Sequence, residues 1–210
     1  MKGIAMDDST VLDRLAALDA ATVHEAAGRI GHLSPGIQSN QSGVSVVGRA
    51  VTAECHPGDN LALHLAILEA GPTDILMGSA RGHVAGYWGE IMAVAAQARG
   101  IRGLVIDGGC RDIAAMRARS FPVWSTGRSV RGMVKTTRGL VNEPIVVGGV
   151  LVTPGDYVIA DDDGVVSIPA DQIESVLAAA EERAVKEAAI MAGLEAGGTT
   201  IELMGLGTGR

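Results

Sequence analysis

The chain has 210 residues, 47% of them hydrophobic, only 2% aromatic, and a net charge of −7. It can therefore bury a full core in one domain, but it offers little for stacking on bases and the wrong charge for nucleic acid as a partner. Two cysteines, Cys55 and Cys110, are too few for a disulfide framework and lack zinc-site spacing, which suits a reduced cytoplasmic setting.

The opening Met-Lys-Gly-Ile-Ala-Met-Asp-Asp turns acidic at once and has no long apolar run, so neither a secretory signal nor a membrane span is expected. Val11, Leu12, Leu15 and Leu18 share one helical face, and a second short helix is expected after Thr22 as its N-cap, closing near Gly28. Gly31, Pro35 and Gly36 mark a loop. Residues 44–55 are β-branched and partly alternating, which predicts a strand or hairpin arm ended by Pro57-Gly58-Asp59-Asn60.

Helical spacing runs over 61–70 and stops at Gly71-Pro72, before a short buried strand at 75–77. The alternation continues with a helix from about Gly89 to Arg99, a strand at 104–106, a short helix after Asp112 and a strand at 122–125. Such βα alternation implies parallel strands covered by helices. Between 130 and 168, β-rich runs at 133–137, 145–147, 150–152, 157–160 and 165–168 are separated by Gly, Pro and Asp turns, which implies a second β layer. Asp171 opens a long Ala- and Glu-rich helix to about Met191, and residues 193–210 are glycine-rich and poorly patterned. The expected organisation is one α/β domain over 1–192, with short helices at its start and a long helix at its end, followed by a tail.

The polar residues concentrate at predicted strand ends. Arg111-Asp112 follows a strand and two glycines, at the edge where α/β proteins bind ligands; the arginine fork suits a carboxylate or enolate, and the aspartate a divalent metal. Read alone, the same pair is more readily a surface ion pair starting a helix. Gly86 and Gly89 bracket Tyr87-Trp88 ahead of Glu90, in the first turn of a helix whose free N–H groups suit an anion. Asn60 and His64 share a helical face, and either can reach a ligand or serve as cap and structural histidine. Arg81 and His83 could add positive charge for a distal carboxylate. Cys110 reads as a small loop residue, and Asp161-Asp162-Asp163-Gly164 as an acidic hairpin turn rather than an EF-hand.

Together, Thr22-Val23-His24-Glu25-Ala26, Pro57-Gly58-Asp59-Asn60 with His64, Gly86-Tyr87-Trp88-Gly89-Glu90, residues 103–112, Phe121-Pro122-Val123-Trp124-Ser125, Pro154-Gly155-Asp156 and residues 160–166 resemble the 4-hydroxy-4-methyl-2-oxoglutarate/4-carboxy-4-hydroxy-2-oxoadipate aldolases of the RraA-like family. That family also contains regulators of RNase E. The resemblance covers about residues 10–190. In it, an acidic residue, twenty residues and then Arg-Asp mark the catalytic members, which Glu90 and Arg111-Asp112 reproduce.

The resemblance implies a layered β/β/α fold of the swivelling-domain type and a divalent-metal-dependent aldolase. It would release pyruvate from 4-hydroxy-2-oxo acids and decarboxylate oxaloacetate as a side activity. Asp112 would hold Mg²⁺ or Mn²⁺, or another divalent metal. Arg111 would bind the pyruvate enolate, and Glu90 would orient a water on the metal. Asn60 and the helix start Gly89, Glu90, Ile91 and Met92 would receive the anionic 2-oxo acid, with His64 as a further catalytic group. Glu187, in a neighbouring copy's C-terminal helix, would complete the site in a homotrimer or a hexamer of paired trimers. Two departures stand out: the tail 193–210 matches poorly, and the acidic position is a glutamate. An oxaloacetate decarboxylase with another physiological substrate and a non-catalytic RNase E regulator are the competing readings. An S-adenosylmethionine-dependent methyltransferase finds no early glycine-rich loop with an acidic ribose anchor.

Overall fold

The structure is a computed structural model and describes residues 7–207; the N-terminal reading of residues 1–6 lies outside it. In chain order the elements are α1 (Asp8–Ala16), α2 (Ala20–Ala26), β1 (Gln38–Ser39), β2 (Val46–Glu54), α3 (Leu61–Glu69), β3 (Asp74–Ser79), α4 (Glu90–Gln97), β4 (Gly103–Cys110), α5 (Ile113–Ala118), β5 (Val123–Arg128), β6 (Leu140–Val141), β7 (Ile145–Val147), β8 (Val150–Val152), β9 (Tyr157–Ala160), β10 (Val165–Ile168), α6 (Ile173–Glu195) and α7 (Thr200–Leu203). The main sheet runs β1-β5-β4-β3-β2-β9-β10, with β6 also on β2, and β7-β8 form a separate hairpin. Strands β2 to β5 are mutually parallel and β1, β6, β9 and β10 join antiparallel.

Alternation along the central strands divides the interior. Leu76, Leu104 and Ile106 face α3, α4 and α5, where Leu63, Ala66, Met92, Ala93 and Met116 cover them. Ile75, Met77 and Val105 face the other way, onto Ile145, Val147 and Val152 of the β7-β8 hairpin and onto Trp124. Helix, sheet and hairpin thus stack as a layered α/β fold, as expected. The second β layer is this hairpin alone, since β9 and β10 continue the main sheet. A third cluster fixes α1, α2 and α6 against β9 and β10 through Leu15, Val23, Ile159, Val166 and Leu177.

Four local readings change. The N-cap of α2 is Asp19, whose carboxylate accepts the Thr22 N–H at 2.7 Å, so Thr22 lies within the first turn. Residues 133–137 form no strand; Val134 makes an isolated bridge to Asp59. Strand β4 continues beyond Ile106 through its glycines to Cys110, with a register shift between Ile106 and Gly109. Helix α6 passes Gly193 to Glu195, and α7 folds back so that Leu203 covers Gly193. The aromatic residues are few and buried: Trp88 stacks on Phe121 with ring centroids 5.8 Å apart, and Trp124 donates its indole N–H to the Asp161 carbonyl at 2.7 Å. Among the described residues no helix is long and apolar enough to cross a membrane.

Candidate active site

The site lies beyond the C-terminal end of β4, and backbone pairing assembles it. The segment leading into α4 runs alongside the end of that strand: Tyr87 N–H donates to the Gly109 carbonyl at 3.1 Å, and Arg111 N–H to the Trp88 carbonyl at 2.9 Å. This approach requires glycine at 109, where a Cβ would sit 2.5 Å from the Ala85 carbonyl oxygen. Gly89 is thereby set against Asp112, and the Glu90 N–H donates to Asp112 Oδ2 at 3.0 Å. A Cβ on Gly89 would lie 2.4 Å from that same oxygen. Asp112 itself is left-handed (φ 57°), a strained conformation that turns the chain sharply from strand into α5.

Asn60, His64, Gly89, Met92, Arg111 and Asp112 line one cavity of about 100 Å³, with Ile91 also at its wall. Residues some fifty positions apart in sequence thus converge. Asn60 precedes α3 but makes no capping bond with its side chain; Asp59 Oδ1 takes the Leu61 N–H instead, at 2.9 Å. The Asn60 amide N–H₂ donates to the Tyr87 carbonyl at 2.8 Å, while its Oδ1 is buried without a partner. His64 Nε2 is likewise buried and unpartnered. Burial and then the nearby Lys135 cation lower the imidazole pKa, so the ring is neutral near pH 7. Two unsatisfied polar atoms of residues at one cavity give ordered water or a polar ligand groups to pair with.

Lys135 also lines this cavity and was not singled out from sequence. Its placement depends on Asp59, whose Oδ2 accepts from the Thr136 and Thr137 N–H groups at 2.7 Å each and from the Thr136 hydroxyl at 2.9 Å. The only sequence signal was a lysine inside a β-like run, which looks the same on any exposed strand.

The other expected residues are held elsewhere. The Glu90 carboxylate, half-exposed, takes Arg119 just after α5 at 2.8 Å and does not line the cavity. Glu187 lies on α6 within 2.8 Å of Arg183, too poorly aligned for a hydrogen bond, and borders none of the cavities around Asp112. Arg81 pairs with Glu54 at 2.6 Å, and His83 Nδ1 meets the Tyr87 hydroxyl at 2.7 Å. Cys110 ends β4 rather than opening a loop; burial raises its thiol pKa, which keeps it protonated.

Among the described residues no three His, Cys, Asp or Glu side chains gather into a metal cage. The donor set nevertheless fits a hard divalent cation of the Mg²⁺ kind, which takes one or two carboxylates and keeps several waters or substrate oxygens. Asp112 offers one carboxylate at an open cavity, and the absent Cβ of Gly89 leaves room beside it.

Known proteins give the context. Over 162 residues the chain is 36% identical to a Halalkalibacterium halodurans protein provisionally named a 4-hydroxy-4-methyl-2-oxoglutarate aldolase, covering 77% of each chain. An uncharacterized Pseudomonas syringae protein of known structure superposes with a TM-score of 0.83 at 29% identity, covering 96% of this chain and 100% of that one. RraAS2 of Streptomyces coelicolor, described as an unusual member of the RNase ES inhibitor RraA protein family, gives 0.77 at 28% identity, covering 89% and 99%. Residues 9–167 match the RraA-like family, described as Aldolase/RraA, and the chain belongs to it.

Proposed function

We propose that the protein is a divalent-metal-dependent aldolase that releases pyruvate from 4-hydroxy-2-oxo acids carrying further carboxylates, with oxaloacetate decarboxylation as a side activity. The observation that carries this reading is the single cavity at which the Asn60 and His64 unpartnered atoms, the start of α4, Arg111 and Asp112 meet. A bound divalent ion, held by Asp112, would supply Lewis-acid polarisation of the 2-oxo group.

The protein's own groups supply the rest. The N–H groups of Ile91 and Met92 at the start of α4 have no intrahelical acceptor and take the substrate carboxylate. The Asn60 carbonyl and His64 Nε2 order water or substrate hydroxyls around it. Once the C4 hydroxyl loses its proton, the C3–C4 bond breaks, C4 becomes a carbonyl, and the bonding pair forms the pyruvate enolate. Arg111 holds the enolate oxygen in its planar fork and stabilises the charge that develops there. Protonation at C3 gives pyruvate. Glu90, once released from Arg119, and Glu187 of a neighbouring copy are the carboxylates that take the hydroxyl proton through water. Loss of CO₂ from oxaloacetate leads to the same enolate.

Pyruvate release from 4-carboxy-4-hydroxy-2-oxoadipate and from oxaloacetate, coupled to lactate dehydrogenase, tests the proposal. Both activities are expected to need added Mg²⁺ or Mn²⁺, to vanish with EDTA, and to fall at least about a thousandfold in Arg111→Ala and Asp112→Ala. Near-normal turnover in either variant would sink the mechanism. No EDTA-sensitive turnover on any 2-oxo acid would favour a non-catalytic regulatory role, which the likeness to RraAS2 makes the second reading.

A further inference from the structure

Arg111 and Asp112 form a shared wall. On one side is the small cavity already described; on the other lies a larger one of about 520 Å³, bordered also by Cys110, Arg128, Ser129 and Val130. A substrate whose 2-oxo acid end sits at Arg111 must extend its far end somewhere, and this second space adjoins the reacting atoms. Arg81 and His83, the sequence candidates for a distal carboxylate, are engaged with Glu54 and Tyr87 and border neither cavity.

Arg128 is the last residue of β5 and pairs in register with Cys110 on β4, one residue before Arg111. Its Nε donates at 3.0 Å to Oδ1 of Asn40, a buried side chain whose amide group in turn donates to Ser125 Oγ at 2.8 Å. The backbone carbonyl of Asn40 also takes Nε of Arg117, at 2.5 Å. One edge of the Arg128 guanidinium is thus anchored to a buried hub. Its remaining N–H donors face no carboxylate within ion-pair distance among the described residues. A half-anchored guanidinium beside an open cavity presents a preorganised fork for a second carboxylate.

We infer that Arg128 is the specificity residue that binds the distal carboxylate, selecting 2-oxo acids with a second acidic group over monocarboxylates. This rests on the aldolase reading above. Arg128 touches the far end of the substrate and takes no part in bond breaking.

The test compares Arg128→Gln and Arg128→Lys with the wild type on 4-carboxy-4-hydroxy-2-oxoadipate and on 4-hydroxy-2-oxopentanoate, which has the same reacting core and no distal carboxylate. Loss of a charge-assisted contact is expected to lower kcat/KM of R128Q for the first substrate at least about tenfold, mostly through KM, with partial rescue in R128K. Turnover of the second substrate, and solvent deuterium exchange into the pyruvate methyl group, should stay within about twofold. Equal loss on both substrates, no loss on either, or a changed oligomeric state by light scattering overturns the assignment. Absence of wild-type turnover on both substrates defeats the aldolase reading itself. Binding of 2-oxoglutarate against 2-oxobutyrate then decides Arg128 separately: R128Q must weaken the first alone, and any other pattern rejects it.

Discussion

Gly89 has a backbone (φ −160°) that any residue can adopt, so its identity is set by space. Gly89→Ala should leave the melting midpoint within a few degrees. The added methyl, 2.4 Å from Asp112 Oδ2 in the unrelaxed structure, must displace that carboxylate. Pyruvate release is expected to fall about a hundredfold, the scale of a misplacement near 1 Å. Unchanged activity would show that the Asp112 position does not matter. At this scale the sequence was only partly informative. The glycines, Arg111 and Asp112 stood out because their types and spacing imply backbone approach and charge. Asn60 was ambiguous between cap and ligand until Asp59 proved to do the capping. Lys135 and Arg128 carried no signal, because an arginine or lysine in a polar stretch reads as solvated surface until the fold gives it neighbours.

Asp59 links elements. It ties the start of α3 to residues 134–137, and so places both His64 and Lys135 at the cavity. Burial alone would raise its pKa, but donation from the Leu61, Thr136 and Thr137 N–H groups and the Thr136 hydroxyl outweighs it and holds the carboxyl well below the usual range. A depressed folded-state pKa means that the stabilisation is complete above the unfolded value near pH 4 and is lost as pH falls toward the folded one. Asp59→Asn should cost about 1–3 kcal/mol in urea unfolding at pH 7, since an amide N–H₂ would meet backbone donors. It should also flatten the acid dependence of stability below about pH 4; an unaltered acid limb would show that Asp59 does not control it. Element types were largely legible, because β2, β3 and α3 carry clean apolar patterns bounded by Gly, Pro and Asp. Strand β4 was underestimated because its Gly108-Gly109 run reads as a turn, although here it admits the neighbouring segment. Residues 133–137 were overestimated because their β-branched pattern is satisfied by one bridge and the Asp59 hydrogen bonds.

At the scale of the whole molecule, α6 packs on α1 and α2, leaving Glu187, Val185 and Met191 at the surface and away from Asp112. A site completed by a second copy has a quantitative signature. Asp112→Ala and Glu187→Ala should each be inactive alone. Random co-assembly of equal amounts should restore about one quarter of the wild-type rate, because one site in four then receives an intact residue from each copy. No recovery on mixing, with heteromers confirmed by mass spectrometry, would place Glu187 outside the site. The layered architecture followed from the βα rhythm and the later β-rich stretch. Which strands entered the main sheet did not, because joining β9 to β2 rather than to β7 depends on long-range pairing that local pattern does not encode.

The aromatic poverty of this chain has a practical side. Its two indoles are both shielded from solvent, and one of them, Trp88, stacks on Phe121 immediately before Gly89, with its ring N–H unpaired. The other is fixed by the Asp161 carbonyl in the opposite layer. The protein therefore carries a built-in optical label one residue from the proposed active site and a second that serves as internal reference, so that occupancy there can be followed by emission without attaching a dye.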